Sequence, residues 1–317
     1  MPRLSHVARS SLLIAVLFGL DKVLGLLRQV VIGRQFGVSA ELDAFNAANN
    51  LPDMLFALIS GGALAMAFIP VLSESMEREG REAAWALFSR VANLAFLITG
   101  AASIIIALLA GPLVRAELGI APGFNPELQS LVADLMRLDL IATLIFSISG
   151  LVIAGLQANQ HFLLPALAPA IFDLGQIFGA LVLAPSQGYH LAGFQLPAAG
   201  LGVSGLAYGA ILGAALHLAV QVPGLIRYRF RWAPRLGLNH PGVRKVARLM
   251  GPRILTIGAF NLIFVIQDNL ASRLGIGSVT ALTYGWLIMQ VPETILGTAI
   301  GTALLPTLSE HYARGDE

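Results

Sequence analysis

The 317-residue sequence has no cysteine, which rules out a disulfide framework, a thiolate metal site and a cysteine nucleophile. Charge is scarce as well. Only 12% of residues are charged, against roughly 25% in an ordinary soluble domain. The few histidines, among them His161, His190 and His217, are scattered without metal-ligand spacing. No Ser/His/Asp grouping and no phosphate-binding glycine loop is present, so neither an enzyme nor a resident cofactor is expected. The net charge is only +2, and the basic residues sit in loops between apolar runs. That pattern gives no footprint for nucleic acid.

Apolar sequence fills the space left by charge, with 56% of residues hydrophobic. A helix needs about 20 mostly apolar residues to cross the hydrocarbon layer. Eight runs qualify, near residues 10–35, 43–74, 85–113, 128–157, 162–184, 198–226, 246–273 and 278–308. They are long and continuous, unlike the alternating short segments of a membrane barrel. Lipid offers no hydrogen-bond partners to the backbone, so helices are the expected form. The expected fold is therefore an all-α polytopic membrane protein. The first run carries Asp21, Lys22 and Arg28 and does not read as a signal peptide.

Two stretches repeat. Ala67-Phe68-Ile69-Pro70-Val71-Leu72-Ser73-Glu74 returns as Ala303-Leu304-Leu305-Pro306-Thr307-Leu308-Ser309-Glu310, and Gly37 and Pro52 return as Gly275 and Pro292. Repeated apolar halves mark transporters in which one bundle rocks against another. Six crossings separate the copies, so they run in the same direction. The expected organisation is a complete six-helix lobe over 1–226, a basic linker over 227–248, and the first two helices of a parallel second lobe over 249–317. The sequence thus reads as part of a larger bundle. The linker carries Arg227, Arg229, Arg231, Arg235, Arg244, Lys245 and Arg248. By the positive-inside rule, this places the linker and both termini in the cytoplasm. Tyr228, Phe230 and Trp232 within it suit the headgroup layer. The linker reads either as an interfacial segment held by anionic lipid or as a substrate-recruiting surface.

Charges inside apolar helices cost about 2.5–3.5 kcal/mol each on insertion scales, so they mark the places where function is sought. Asp43, Asn46, Asn50 and Asp53 fall on one helical stripe, beside a bend expected at Pro52. The stripe reads as a cavity wall or as a polar helix end. Arg28 is too deep for easy snorkelling. Its guanidinium offers a donor fork for phosphate or carboxylate, or an internal ion pair with Asp21 or Asp43. Lys22 sits beside it. Asp134 and Arg137 are spaced to pair with each other, and Asp173 follows a kink expected at Pro165 and Pro169. Arg253, Asp268 and Glu293 are secondary cavity candidates, along with Asn261 and Tyr284.

Val23-Leu24-Gly25-Leu26-Leu27-Arg28, Phe36-Gly37, Asp43-Ala44-Phe45, Leu51-Pro52-Asp53 and the stretch Ala67 to Glu74 occur in the order seen in the MurJ (MviN) family of lipid II flippases. Ala121-Pro122-Gly123-Phe124, Met250-Gly251-Pro252 and the segment from Leu305 to Ser309 extend the match. The sequence resembles that family over nearly its whole length. The resemblance implies an alternating-access exporter of the bacterial cytoplasmic membrane whose basic cavity takes the diphosphate of an undecaprenyl-linked glycopeptide during cell-wall synthesis. Arg28 matches a cavity arginine of the family motif, Lys22 a position usually held by arginine, and Asp43 an acidic position. Phe56, Gly61 and Leu287 stand where the family usually carries charge, and Gln29 where it has aspartate. The rival expectations are an exporter of another polyprenyl-linked glycan, a cation-coupled drug exporter using an ion gradient, and a non-transporting relative.

Overall fold

Glycine and proline punctuate the long apolar runs, and some of the helix ends and π turns follow them while Pro70 and Pro252 lie within continuous helices. The computed structural model describes residues 6–61, 63–191, 193–290 and 292. Among these residues the helices are α1 His6–Phe36, α2 Ala40–Phe56, α3 Ala63–Arg78, α4 Arg81–Arg115, α5 Pro126–Ala158, α6 Leu163–Phe178, α7 Ser204–Ala219, α8 Val222–Arg227 and α9 Pro241–Ala271. A further helix, α10, covers residues 278–290. A two-residue hairpin pairs His190–Leu191 with Phe194–Gln195. The protein is an all-α polytopic membrane protein. Among the described residues six spans meet the length and apolarity required for crossing, and α1 and α10 fall at the first and eighth of the expected runs.

The repeat is visible in local geometry. Gly37, closing α1, and Gly275, in the turn before α10, both have positive φ, at 61° and 133°. L side chains resist that region, and glycine enters it without steric cost. The copy at 303–310 lies outside the described residues. Ser39 caps α2 by accepting the amide of Leu42 at 3.2 Å, and Asn125 caps α5 by accepting that of Leu128 at 2.8 Å. Pro52 lies inside α2, and a π-helical turn at Ala57–Gly61 follows. A second π turn, Gly179–Leu183, follows α6, which contains Pro169. Such turns widen the helix by one residue and are frequent at functional sites.

Helix α5 is the hub, packed by α2, α3, α4 and α7. Phe68, Leu72, Leu87, Leu135, Met136 and Leu156 are fully buried around it. Helices α6 and α7 meet through glycine: a Cβ on Gly175 would lie 2.3 Å from the Gly213 Cα, and one on Gly209 2.8 Å from the Gly179 Cα. Small residues let membrane helices approach this closely, and dispersion contacts then hold them. The outward faces are apolar too, with Leu108 75% exposed and Ile104 62%. That arrangement suits hydrocarbon surroundings and not water.

Residues after α8 run along α4 as a strap. A stripe on α4 receives it: Trp85 Nε1 donates to the Tyr228 carbonyl, Ser89 Oγ accepts the Ala233 amide, and Asn93 Nδ2 donates to the Ala233 and Arg235 carbonyls. The Phe230 ring packs edge-on against Trp85 and Phe88, with centroids 5.2 and 5.1 Å away. An aromatic set read from sequence as headgroup-facing is therefore partly turned inward. Phe230 joins the core and Trp232 stays exposed. The strap marks one end of the bundle, the linker end. The other, the far end, carries residues 37–39, 116–125 and 272–277.

Candidate functional site

The polar groups of the interior converge on one cavity of about 640 Å³. Arg28 reaches it from α1, and Asn46, Asn50 and Asp53 from α2. Asn261 and Asp268 enter from α9, Tyr284 from α10, and His217 from α7. Helical period explains the convergence, because residues three or four apart share a face. The stripe on α2 faces this cavity at three of its four expected positions.

The fourth, Asp43, does something else. It is completely buried and is not among the residues lining the cavity. Its carboxylate accepts the Thr280 amide at 2.7 Å, the Thr280 hydroxyl at 2.6 Å and the amide of Gly277. Those amides open α10, where unpaired N–H groups and the helix dipole favour negative charge. Asn46 adds a bond to the Thr280 hydroxyl at 3.3 Å, and Asn50 donates to the Asp268 carboxylate. The loop after α4 joins the same latch. Ser272 Oγ accepts the Gly123 amide at 3.1 Å, and Asn269 donates to the Gly119 carbonyl at 2.6 Å. The far end is thus bolted shut between α2 and α9–α10.

Arg28 finds a different partner from the two expected. Its Nη1 donates to Asp173 on α6 at 2.9 Å, with both side chains largely buried. Asp21 instead pairs with Lys22 at 3.2 Å. Gly25 leaves room for the Arg28 pair, since a Cβ there would sit 3.3 Å from the Asp173 carboxylate. The Arg28 Nε remains buried without a partner. Lys22 is 74% exposed and does not line the cavity. Arg253 also lies away from it, and one of its guanidinium nitrogens is buried without a partner. Glu293 lies outside the described residues. Asp134 and Arg137 pair at 2.6 Å, as their spacing predicts.

One cavity residue escaped the sequence reading. Asp139 on α5 lines the cavity and is only 4% exposed, and neither carboxylate oxygen has a hydrogen-bond partner. It is a charge inside an apolar helix, two residues after Arg137, and the same kind of signal marks Asp53. Phe56 forms part of an aromatic wall of the cavity. Its ring lies 5.0 Å from Phe146, which lies 5.2 Å from Phe172.

Fold and cavity together define a multi-pass helical membrane protein with a polar chamber between helices far apart in sequence. A family model described as Lipid II flippase MurJ matches residues 32–317. The chain belongs to the MurJ family. The Lipid II flippase MurJ of Burkholderia cenocepacia is 32% identical over 305 residues, covering 94% of this chain and 56% of that protein. The Probable lipid II flippase MurJ of Buchnera aphidicola is 27% identical over 300 residues, 93% of this chain and 55% of that protein. The chain spans about half the length of the curated relatives it matches. Among solved structures, a Lipid II flippase MurJ in an inward closed conformation superposes with a TM-score of 0.74 at 23% identity, covering 94% of this chain and 59% of that one. A transporter of the multidrug and oligosaccharidyl-lipid exporter superfamily from Pyrococcus furiosus superposes at 0.66 with 15% identity, covering 89% and 60%. These two likenesses concern the fold.

Proposed function

We propose that the chain serves in moving lipid II, an undecaprenyl-pyrophosphate-linked glycopeptide, across the bacterial cytoplasmic membrane by alternating access, as a transporter and not an enzyme. The observation that carries this reading is a MurJ-family sequence folded around a polar cavity that holds a buried arginine. The diphosphate would meet Arg28, whose Nε is unpartnered and whose Asp173 contact it would share or displace. Charge-assisted bonds of this kind are roughly twice as strong as neutral ones. Asn46, Asn50 and Asp53 would face the sugar, and exposed Lys22 would meet the headgroup on entry. The polyprenyl tail would stay among membrane lipids.

In this reading the arginine-rich linker end and the N-terminus lie in the cytoplasm, and the far end faces outward. Residues 1–226 act as one lobe, 227–248 as the linker and 249–317 as the start of the second. The Asp43 latch holds the outer side shut, and its release would open the cavity outward. Other cell-wall synthesis proteins would consume the delivered precursor. The test is movement of fluorescent lipid II in proteoliposomes. Arg28→Ala and Lys22→Ala should each slow it, and unchanged movement in both variants rejects the site assignment.

A further inference from the structure

The charge of the cavity wall is the wrong way round for an anion alone. Arg28 is the one basic side chain lining it among the described residues, against Asp53, Asp139 and Asp268. Arg28 is moreover already engaged by Asp173, and Asp268 by Asn50. Asp139 has nothing. An ionised carboxylate taken out of water without a partner is strongly unfavourable, and one that persists in a buried wall calls for a positive ligand.

Its surroundings say which kind. The Asp53 carboxylate is the charged neighbour close enough to interact with Asp139 electrostatically, yet no hydrogen bond joins the two. Both line the same cavity, and neither Asp139 oxygen is taken up by a hydrogen bond. One turn on, the Thr143 hydroxyl also lines the cavity, and it donates to the Asp139 carbonyl at 3.1 Å, leaving its lone pairs free. The available donors are all oxygen, which selects a hard cation over a transition metal. Among the described residues no three His, Cys, Asp or Glu side chains cluster as a metal site. The Arg28 guanidinium acts on Asp53 electrostatically, so the two carboxylates present less than two full negative charges, which a singly charged ion matches better than a divalent one. His217 faces the cavity from α7, but its Nδ1 is 2.6 Å from Ser149 Oγ and is already used.

We infer that Asp53 and Asp139 form a binding site for a sodium-like monovalent cation inside the first lobe. A bound ion would neutralise the orphaned acid and make the cavity less hostile to an anionic headgroup. Occupancy does not depend on what the transported substrate is, so binding is measured without any lipid substrate. Failure of the lipid II reading would leave this result standing, and the reverse also holds.

The experiment follows thermal unfolding of the purified chain in detergent while sodium replaces choline at a constant ionic strength of about 0.15 M. Wild type should gain about 2–4 °C in Tm. Asp139→Asn and Asp53→Asn should each lose that gain, and Asp268→Asn should keep it. Sodium-23 NMR line broadening of the wild type, absent in Asp139→Asn, gives a second readout that needs no unfolding. An unresponsive wild type overturns the site, and so does a full sodium gain in Asp139→Asn. Stabilisation by acid but not by sodium also overturns it, because the two carboxyl groups would then be holding a proton.

Discussion

Asp43 of α2 and Thr280 of α10 are 237 residues apart, yet the carboxylate of one accepts both the amide and the hydroxyl of the other, at 2.7 and 2.6 Å. A charged acceptor at a helix start joins capping to the macrodipole interaction, and hydrogen bonds to charged groups are worth about 1.5–3 kcal/mol. Asp43→Asn keeps one acceptor and loses the charge. It should lower Tm by several degrees and raise maleimide labelling of a cysteine placed at Val38, which lies against Gly277. The absence of native cysteine makes that label unambiguous.

Arg28 and Asp173 separate structure from transport. Arg28→Ala alone strands a buried carboxylate, a change that typically costs about 3–5 kcal/mol. Arg28→Ala with Asp173→Ala should recover most of that stability, as read from denaturant or thermal unfolding in detergent. Lipid II movement should stay low in the double variant if the guanidinium meets the diphosphate, and should return with stability if the pair only holds α1 to α6.

The α6–α7 contact leaves no room for side chains. Gly209→Ile would drive a branched side chain toward backbone of Gly179 and Gly175, already 2.8 and 3.1 Å from a bare Cβ. Loss of folded protein on size-exclusion chromatography is expected. Gly258→Ala meets nothing within 4 Å. It should be as stable as wild type or slightly more so, because alanine favours helix over glycine by about 1 kcal/mol.

Phe230 pins the strap to α4. Phe230→Ala removes its packing against Trp85 and Phe88 and should cost roughly 2–4 kcal/mol of local stability. Limited trypsin digestion should then cut faster at Arg229, Arg231 and Arg235. Cleavage at the wild-type rate would show that the hydrogen bonds to Ser89 and Asn93 suffice.

Much of the fold was legible because hydrophobic length is a strong signal. Seven of the eight expected spans coincide with a helix or a helix pair, the eighth is helical over its described part 278–290, and the stripe from Asn46 to Asp53 reaches the cavity as its spacing predicts. What the sequence hid was pairing across distance. Nothing local links Arg28 to Asp173, or Asp43 to the start of a helix in the other repeat. The inward turn of Phe230 depends on the stripe Trp85, Ser89 and Asn93, whose polar members look unremarkable in an apolar run. Asp139 is a charge inside an apolar helix, but nothing local shows that Arg137, two residues away, is taken by Asp134 and leaves it without a partner.

The strap has a mechanical corollary. Since residues 228–237 are held against α4 and Gly242 abuts Leu87, the root of α9 is moored to α4. Its swing is then that of a lever with a fixed fulcrum. With 31 residues at about 1.5 Å each, the arm is about 46 Å long, and a tilt of about 10° carries its tip about 8 Å. Such a stroke would part every bond of the Asp43 latch while leaving the moored root almost still.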